Sequence, residues 1–405
     1  MKPIAHLALF LFLASAGGGY AQDSLRRITY PVQISFIPPL STNGLQNVNS
    51  VNQLSINLIA GYAGGLEGFE LGGFANVLKG SMTGTQIAGF ANVVGGPAQG
   101  IQIAGFANVN QKRTEGIQVA GFSNVVSDST AALQLAGFSN MVTGTSQGTQ
   151  LAGFINFNRD HFSGVQASGF ANINGKKTVG AQMAGYYNMS SDSCEGLQVA
   201  GFMNLAAKRI KGAQIAGFLN VAPSLAGTQI GVINIADTLE SGTPFGFLSF
   251  IRKGGLFAFE LGADETFYAN LSIKTGSKQI YNIIGVSARP ANDFYWGLSY
   301  GLGSELKQTG RFRIYLDVTA TQVNRNDIWS NHLNLLSRAK LGFGWQAGKR
   351  FAISAGPDFN VLTLNKLNNE NLLSLNTIAP YSIYDKQHGQ TRVQMWPGAH
   401  VSIRF

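Results

Sequence analysis

The sequence predicts an all-β protein: a parallel β-solenoid with a 16-residue period joined to an antiparallel β-barrel-like domain. Three observations carry that reading. Asn76, Asn92, Asn108, Asn124, Asn140, Asn156, Asn172, Asn188, Asn204 and Asn220 recur sixteen positions apart within one repeated phrase. Each period holds only one segment of strand character, so like segments must lie parallel. Beyond about residue 242 the repeat gives way to alternating strands that end on Phe405.

Bulk composition sets the limits. The chain has 405 residues, is 45% hydrophobic and only 12% charged, so it has room for two domains and a substantial core. Its 51 glycines come with a period, as turn markers do, and not as low-complexity sequence. The net charge of +9 is scattered through loops and the C-terminal third. Nucleic-acid binding calls for basic residues gathered on one face and is not expected, whereas a diffuse positive charge suits an anionic lipid or polysaccharide surface.

Residues 1–21 read as a signal peptide. Met1-Lys2 forms a basic start, an apolar run extends from Ala5 to Ala16, and Gly19-Tyr20-Ala21 offers a small-residue cleavage site, which predicts export. No Cys lies near that junction, so a lipoprotein anchor is not expected, and Cys194, the only Cys, has no internal disulfide partner. No later apolar run is long enough for a membrane-spanning helix, a limit that does not apply to membrane-crossing strands. Residues 22–52 contain a strand-like stretch from Arg27 to Ile37, expected to close the barrel beside its C-terminal strand and make the solenoid an insert.

Residues 53–238 are read as the solenoid. Six places before each Asn stands Gln, as at Gln102, Gln118, Gln134 and Gln150, with Glu70 in the first copy. Four before it is Ala, except for Gly72 and Ser168, and three before it is always Gly. Two before it comes Phe, as at Phe90, Phe106, Phe122 and Phe138, with a single Tyr186. The charged residues fall three to seven places after an Asn, so that arc faces water. With strands about 4.8 Å apart, ten or eleven turns make a rod of roughly 50 Å. Identical side chains then stack: the Asn and Gln amides donate to one neighbour and accept from the other, and the Phe rings are expected to add buried area. The Gly before each Phe is expected to turn a corner or to admit the neighbouring backbone. The second series of the strand (Ile, a variable apolar residue, Val) is also apolar, so it either turns inward at that corner or rests on lipid or another domain. Gln229 to Asn234, with its shortened interval of fourteen, is expected to be the terminal rung.

The phrase Gly-x-Gln-x-Ala-Gly-Phe-x-Asn between Gln86 and Asn220 resembles the surface-repeat family of exported proteins of spirochaetes and Bacteroidota. The resemblance covers a little under half of the chain. It implies a cell-surface or outer-membrane location and brings no catalytic residues to carry over.

Residues 239–405 are read as an antiparallel domain, an outer-membrane barrel. Nine strands are expected: 245–251, 256–261, 267–273, 281–288, 295–302, 312–319, 335–345, 351–359 and 393–405. Bacterial barrels use even numbers, hence the need for the Arg27–Ile37 strand as a partner. Tyr281, Phe294, Tyr295, Trp296, Tyr300, Trp345 and Trp396 are candidates for interfacial aromatic girdles. A soluble antiparallel domain is the alternative.

The search for chemistry yields little. His6, His161, His332, His388 and His400 have no metal-site spacing, and Cys194 sits in a charged turn. No nucleophile elbow, phosphate loop or dinucleotide fingerprint occurs in context, and no Asp or Thr array marks a calcium- or ice-binding solenoid. No catalytic residue, cofactor or metal is therefore expected. The expected function is a non-catalytic envelope protein that displays a solenoid at the bacterial surface, with outer-membrane lipid and a surface glycan or protein as partners. The alternatives are a surface polysaccharide hydrolase or lyase, which needs paired carboxylates in a groove, and a small-solute channel, which needs an open polar lumen.

Overall fold

The computed structural model describes residues 28–290, 294–326, 334–348, 351–365, 378–389 and 391–405. The expected signal peptide lies outside them. The chain divides into two compact units, Met1–Gly137 and Phe138–Phe405. Both carry coils of the predicted solenoid, about thirteen turns together, more than expected because the degenerate end segments also form coils.

In the first unit a typical coil holds a seven-residue strand and a four-residue strand, as in Thr114–Ala120 and Ser123–Val126. Pairing is parallel and in register at one period: Gln102 lies opposite Gln118, and Asn108 opposite Asn124. Two glycine columns shape the coil. Gly116 has φ 112 and kinks the longer strand, a conformation that an L side chain rarely adopts. Gly105 sits at the bend between the two strands, where a Cβ would run into the carbonyl oxygen of Gly89. The expected corner is there, and the reason for its Gly is close backbone approach.

The N-terminal strand corrects an expectation. Ile28–Ile37 pairs in parallel with Ser50–Asn57, with Gln33 opposite Ser55, so it is the first rung of the solenoid and no part of the barrel.

The second unit has coils of the same kind, beginning with Ser139–Val142, with Asn156 opposite Asn172 and Asn188 opposite Asn204. Where the interval shortens, the turn between coils disappears and Leu219–Ile230 becomes one continuous strand. Gln229 to Asn234 is not the terminal rung: Ile233–Phe245 and Leu248–Lys253 add to it in parallel. The first of the nine expected barrel strands, 245–251, is therefore largely the last solenoid rung.

The remaining eight form a closed antiparallel barrel: Leu256–Asp264, Ala269–Gly276, Tyr281–Arg289, Tyr295–Thr309, Phe312–Arg325, Asn334–Gln346, Ala352–Asn365 and Thr391–Arg404. Closure comes from Leu256–Asp264 pairing with Thr391–Arg404, which supplies the even number without a borrowed strand. A short strand, Tyr384–His388, pairs with the start of the last one, Thr391–Met395, beyond the point where Leu256–Asp264 ends.

Candidate functional site

The solenoid interior is built of amides. In the first unit Gln102 Nε2 donates to Gln86 Oε1 at 3.0 Å, Gln118 to Gln102 at 3.0 Å and Gln134 to Gln118 at 2.8 Å, each toward the preceding coil. The Asn column runs the other way: Asn92 Nδ2 donates to Asn108 Oδ1 and Asn108 to Asn124, both at 2.9 Å. The second unit repeats the pattern, from Asn140 to Asn156, Asn172, Asn188, Asn204 and Asn220 at 2.8–3.0 Å. Each Asn Nδ2 has a second acceptor in a backbone carbonyl, as Asn108 has in Val119 O at 2.9 Å. These Asn side chains are fully buried, and the two columns have opposed dipoles. With their donors and acceptors paired, the penalty of roughly 1–3 kcal/mol for each orphaned group is avoided.

The N-terminal end explains the two exceptions in the first copy. Gln86 Nε2 and Asn57 Nδ2 converge on Glu70, one on each oxygen, at 2.9 Å. Two donors meet there, and an acceptor-only carboxylate receives both. Asn57 also donates to Asn76 Oδ1 at 2.9 Å and so starts the Asn column. Gly72 replaces Ala because a Cβ there would strike the Asn76 amide. Burial raises the Glu70 carboxyl above its ordinary value, against the lowering effect of these hydrogen bonds.

A third interior column was missed by the sequence reading. Asn110 Nδ2 donates to Gln102 Oε1 at 2.7 Å and to Thr114 Oγ1 at 2.8 Å, and Asn174 binds Gln166 and Thr178 in the same way. Its only sequence signal is an Asn two places after the repeat Asn, hidden because Val94 and Val126 fill the same position in other coils. Cys194 belongs to this interior as well. Burial pushes its thiol up to about 12, and the side chain packs among Ala206, Ile210 and Leu225.

The outer surface reverses the expectation for the Phe column. The rings stack at 4.7–4.8 Å from Phe74 to Phe122, and at 4.9–5.2 Å from Phe138 to Phe218 with Tyr186 among them. They point outward all the same, Phe106 being 41% exposed. The two-residue bend at Gly-Phe breaks the inside–outside alternation and turns the ring out. The second series stays outside too, as at Ile101 and Ile103. The solenoid is therefore polar within and apolar over much of its outside. On the charged arc, ion pairs link coils: Lys176–Asp160 and Lys177–Glu195 at 2.9 Å, Lys208–Asp192 at 3.1 Å.

The barrel has the same inverted character. Phe257, Leu271, Val286, Val318, Phe343 and Val401 project outward, each between 45% and 53% exposed. Inside, Lys274 lies between Glu260 at 2.8 Å and Asp317 at 2.6 Å, while Arg404 reaches Glu260 at 3.2 Å and Glu305 at 3.3 Å. Arg338 pairs with Asp264, and His400 with Asp358. Tyr315 bridges His400 Nε2 at 3.2 Å and Ser354 Oγ at 2.9 Å. Serine, histidine and aspartate thus meet, in a lumen whose cavity of about 40 Å³ has room for little more than a water molecule. Eight strands enclose little more than their own side chains, which does not favour a solute channel. Tyr281, Tyr295 and Trp396, expected in the girdles, are buried in this interior, whereas Phe294 and Trp345 are exposed.

The barrel rim covers the last solenoid rung. Asn282 Oδ1 accepts from Ser249 N, and its Nδ2 donates to Gly246 O, both at 2.8 Å. Thr275 Oγ1 donates to Ser249 O and Tyr300 OH to Phe247 O, both at 2.9 Å. An edge that would template further strands is closed by side chains.

Among the described residues no group of three His, Cys, Asp or Glu is placed to hold a metal ion; His6 and His332 lie outside them. No protein-family model matches the chain, and no curated protein or solved structure matches it.

Proposed function

We propose that the chain is a non-catalytic structural and interaction protein of the cell envelope, anchored by its barrel in the outer membrane and carrying solenoid coils joined to that barrel in its second unit. One observation carries this: a closed barrel with aliphatic and aromatic side chains outside and an ion-paired cluster inside is built for a solvent of hydrocarbon. The kinship with exported surface-repeat proteins, drawn from the Gly-x-Gln-x-Ala-Gly-Phe-x-Asn phrase, belongs to the same proposal.

The strand connections support an orientation. The strand ends Gly276 and Tyr281, Thr309 and Phe312, and Gln346 and Ala352 lie on the rim that meets the second unit's coils, with both barrel ends, Leu256 and Arg404. Arg325, Asn334 and Asn365 lie at the opposite rim, and the longest stretches of sequence between strands, 326–333 and 366–383, follow or precede these ends. Outer-membrane barrels have short periplasmic turns and longer external loops. That favours a solenoid on the periplasmic side, in place of the external display expected from the sequence. Its charged arc is the side on which a glycan or protein partner would meet it. A hydrolase would need free paired carboxylates, and Asp160, Asp192 and Glu195 are each engaged by a lysine.

Membrane fractionation with a heat-modifiability gel tests the proposal. The full chain is expected in the outer-membrane fraction, with different mobilities before and after boiling. A soluble chain with one mobility would end the barrel reading.

A further inference from the structure

The outside of the second unit's solenoid is an apolar surface that none of the unit's described residues covers. Seventeen large apolar side chains between Phe138 and Phe250 are more than a third exposed. At roughly 60–80 Å² each they expose about 1,000 Å², above the 300–600 Å² of the largest patch on a typical soluble monomer. Fifteen of them form columns: the ring column, the residue after each Asn position (Met141 to Phe250) and the residue next after each Gln position (Leu151 to Phe245); Val165 and Val179 stand outside these.

Two contacts carry these columns into the barrel wall. Phe250, at the end of one column, meets Phe257 edge-on at 5.5 Å, and Phe257 meets Phe259 at 5.6 Å. Phe247, at the end of the ring column, stacks on Tyr300 at 4.4 Å. Tyr300 shares a barrel face with the outward Leu298 and Leu302. The solenoid's apolar exterior and the barrel's outward surface are thus one continuous face.

Charge is segregated away from the columns, and it meets the apolar set only at Val179, which lies in strand register with Glu195. Lys176, Lys177, Lys208 and Arg209 all lie on the opposite arc, and they pair there with Asp160, Glu195, Asp192 and Glu240. Backbone polarity does not oppose contact with hydrocarbon either. The coils bond to one another, and the terminal rung is closed by Asn282, Thr275 and Tyr300. The arrangement is that of an amphipathic element lying in an interface, with one side in acyl chains and the other in water.

We propose that the solenoid of the second unit is itself a lipid-contacting element: its apolar columns rest in the acyl layer of the membrane that holds the barrel, and its charged arc faces water. This rests on the barrel reading above and adds a second membrane contact site to it. Lipid is favoured over a second copy of the chain because the columns merge with a surface that already faces lipid in that reading.

Spin labels on the full chain, reconstituted in phosphatidylcholine vesicles, test it. Labels are placed by Phe218→Cys and Ile235→Cys on the columns, Lys208→Cys on the arc and Leu298→Cys on the barrel wall, in a Cys194→Ser background. Labels at 218, 235 and 298 are expected to collide preferentially with dissolved oxygen, and the label at 208 with a water-soluble nickel chelate. If 298 reports lipid while 218 and 235 report water, the inference is overturned and the barrel stands. If 298 also reports water, the barrel reading falls first. Exclusion of both reagents at 218 and 235, with dipolar broadening between labels, would show a second copy on the face and overturn the inference. Two column sites guard against one label disturbing its coil.

Discussion

Asn172 offers the sharpest mutational test of the amide columns. Its side chain is fully buried and makes three hydrogen bonds: Oδ1 accepts from Asn156 at 2.8 Å, and Nδ2 donates to Met183 O at 2.7 Å and to Asn188 Oδ1 at 2.9 Å. Asn172→Ala removes all three, at about 1 kcal/mol each, and leaves Asn188 Oδ1 without its donor, about 1–3 kcal/mol more. A loss of about 4–6 kcal/mol in local stability is expected. Asn172→Asp keeps the shape but sets acceptors against Met183 O and Asn188 Oδ1 and buries a charge with no cation beside it. At neutral pH it is expected to be worse than Ala, and to recover partly at acid pH, where a protonated carboxyl can donate once. Protection factors from native-state hydrogen exchange over 165–205 in the full chain read the effect where it occurs. An Ala variant that loses less than about 1 kcal/mol, or an Asp variant as protected as the parent at pH 7, would refute the reasoning.

Other consequences follow from the same structure. Gly180 has φ 120 and lies against the carbonyl of Gly164, so Gly180→Ala is expected to lower local stability by about 3 kcal/mol or more in the same exchange experiment. Ala132, the exception in that column, has no positive φ and so takes another backbone path. Inside the barrel, Asp317→Asn weakens the pairing of buried Lys274 and is expected to cost about 3 kcal/mol, read as a lower temperature for the heat-modifiable mobility shift; Lys274→Met with Asp317→Leu should recover much of it. Glu70 sets a pH dependence. Its native pKa is raised, so its contribution is full below the unfolded value of about 4.3 and is lost as pH rises through the native one. Protection factors over 65–90 are expected to be higher at pH 4 than at pH 7, and equal values would contradict this.

The solenoid was legible because its period is written in the sequence. Gln102, Asn108 and their copies state the register directly, and a stacked amide has one sensible set of partners. The orientation of Phe106 was not legible, since the bend at Gly105 breaks alternation and the phrase alone does not say which way a corner residue turns. The first rung was misread for a related reason: Ile28–Ile37 carries strand composition but no repeat phrase, so it looked like a barrel strand. Removing 245–251 from the barrel and returning Ile28–Ile37 to the solenoid corrects the strand count at both ends. The barrel interior was hidden because Glu260, Lys274, Asp317 and Arg404 are spread over the whole C-terminal third, and only strand pairing brings them together. Their sequence signature was charge at alternate positions of otherwise apolar strands.

The most direct test of the account is where the two barrel rims lie in living cells. Lys208→Cys puts a thiol on the solenoid's exposed arc, and Lys386→Cys puts one on the exposed short strand at the far rim, while native Cys194 stays buried. A membrane-impermeant maleimide is expected to label Lys386→Cys on intact cells and Lys208→Cys only after the outer membrane is opened. Labelling of Lys208→Cys on intact cells, with Lys386→Cys protected, would contradict it.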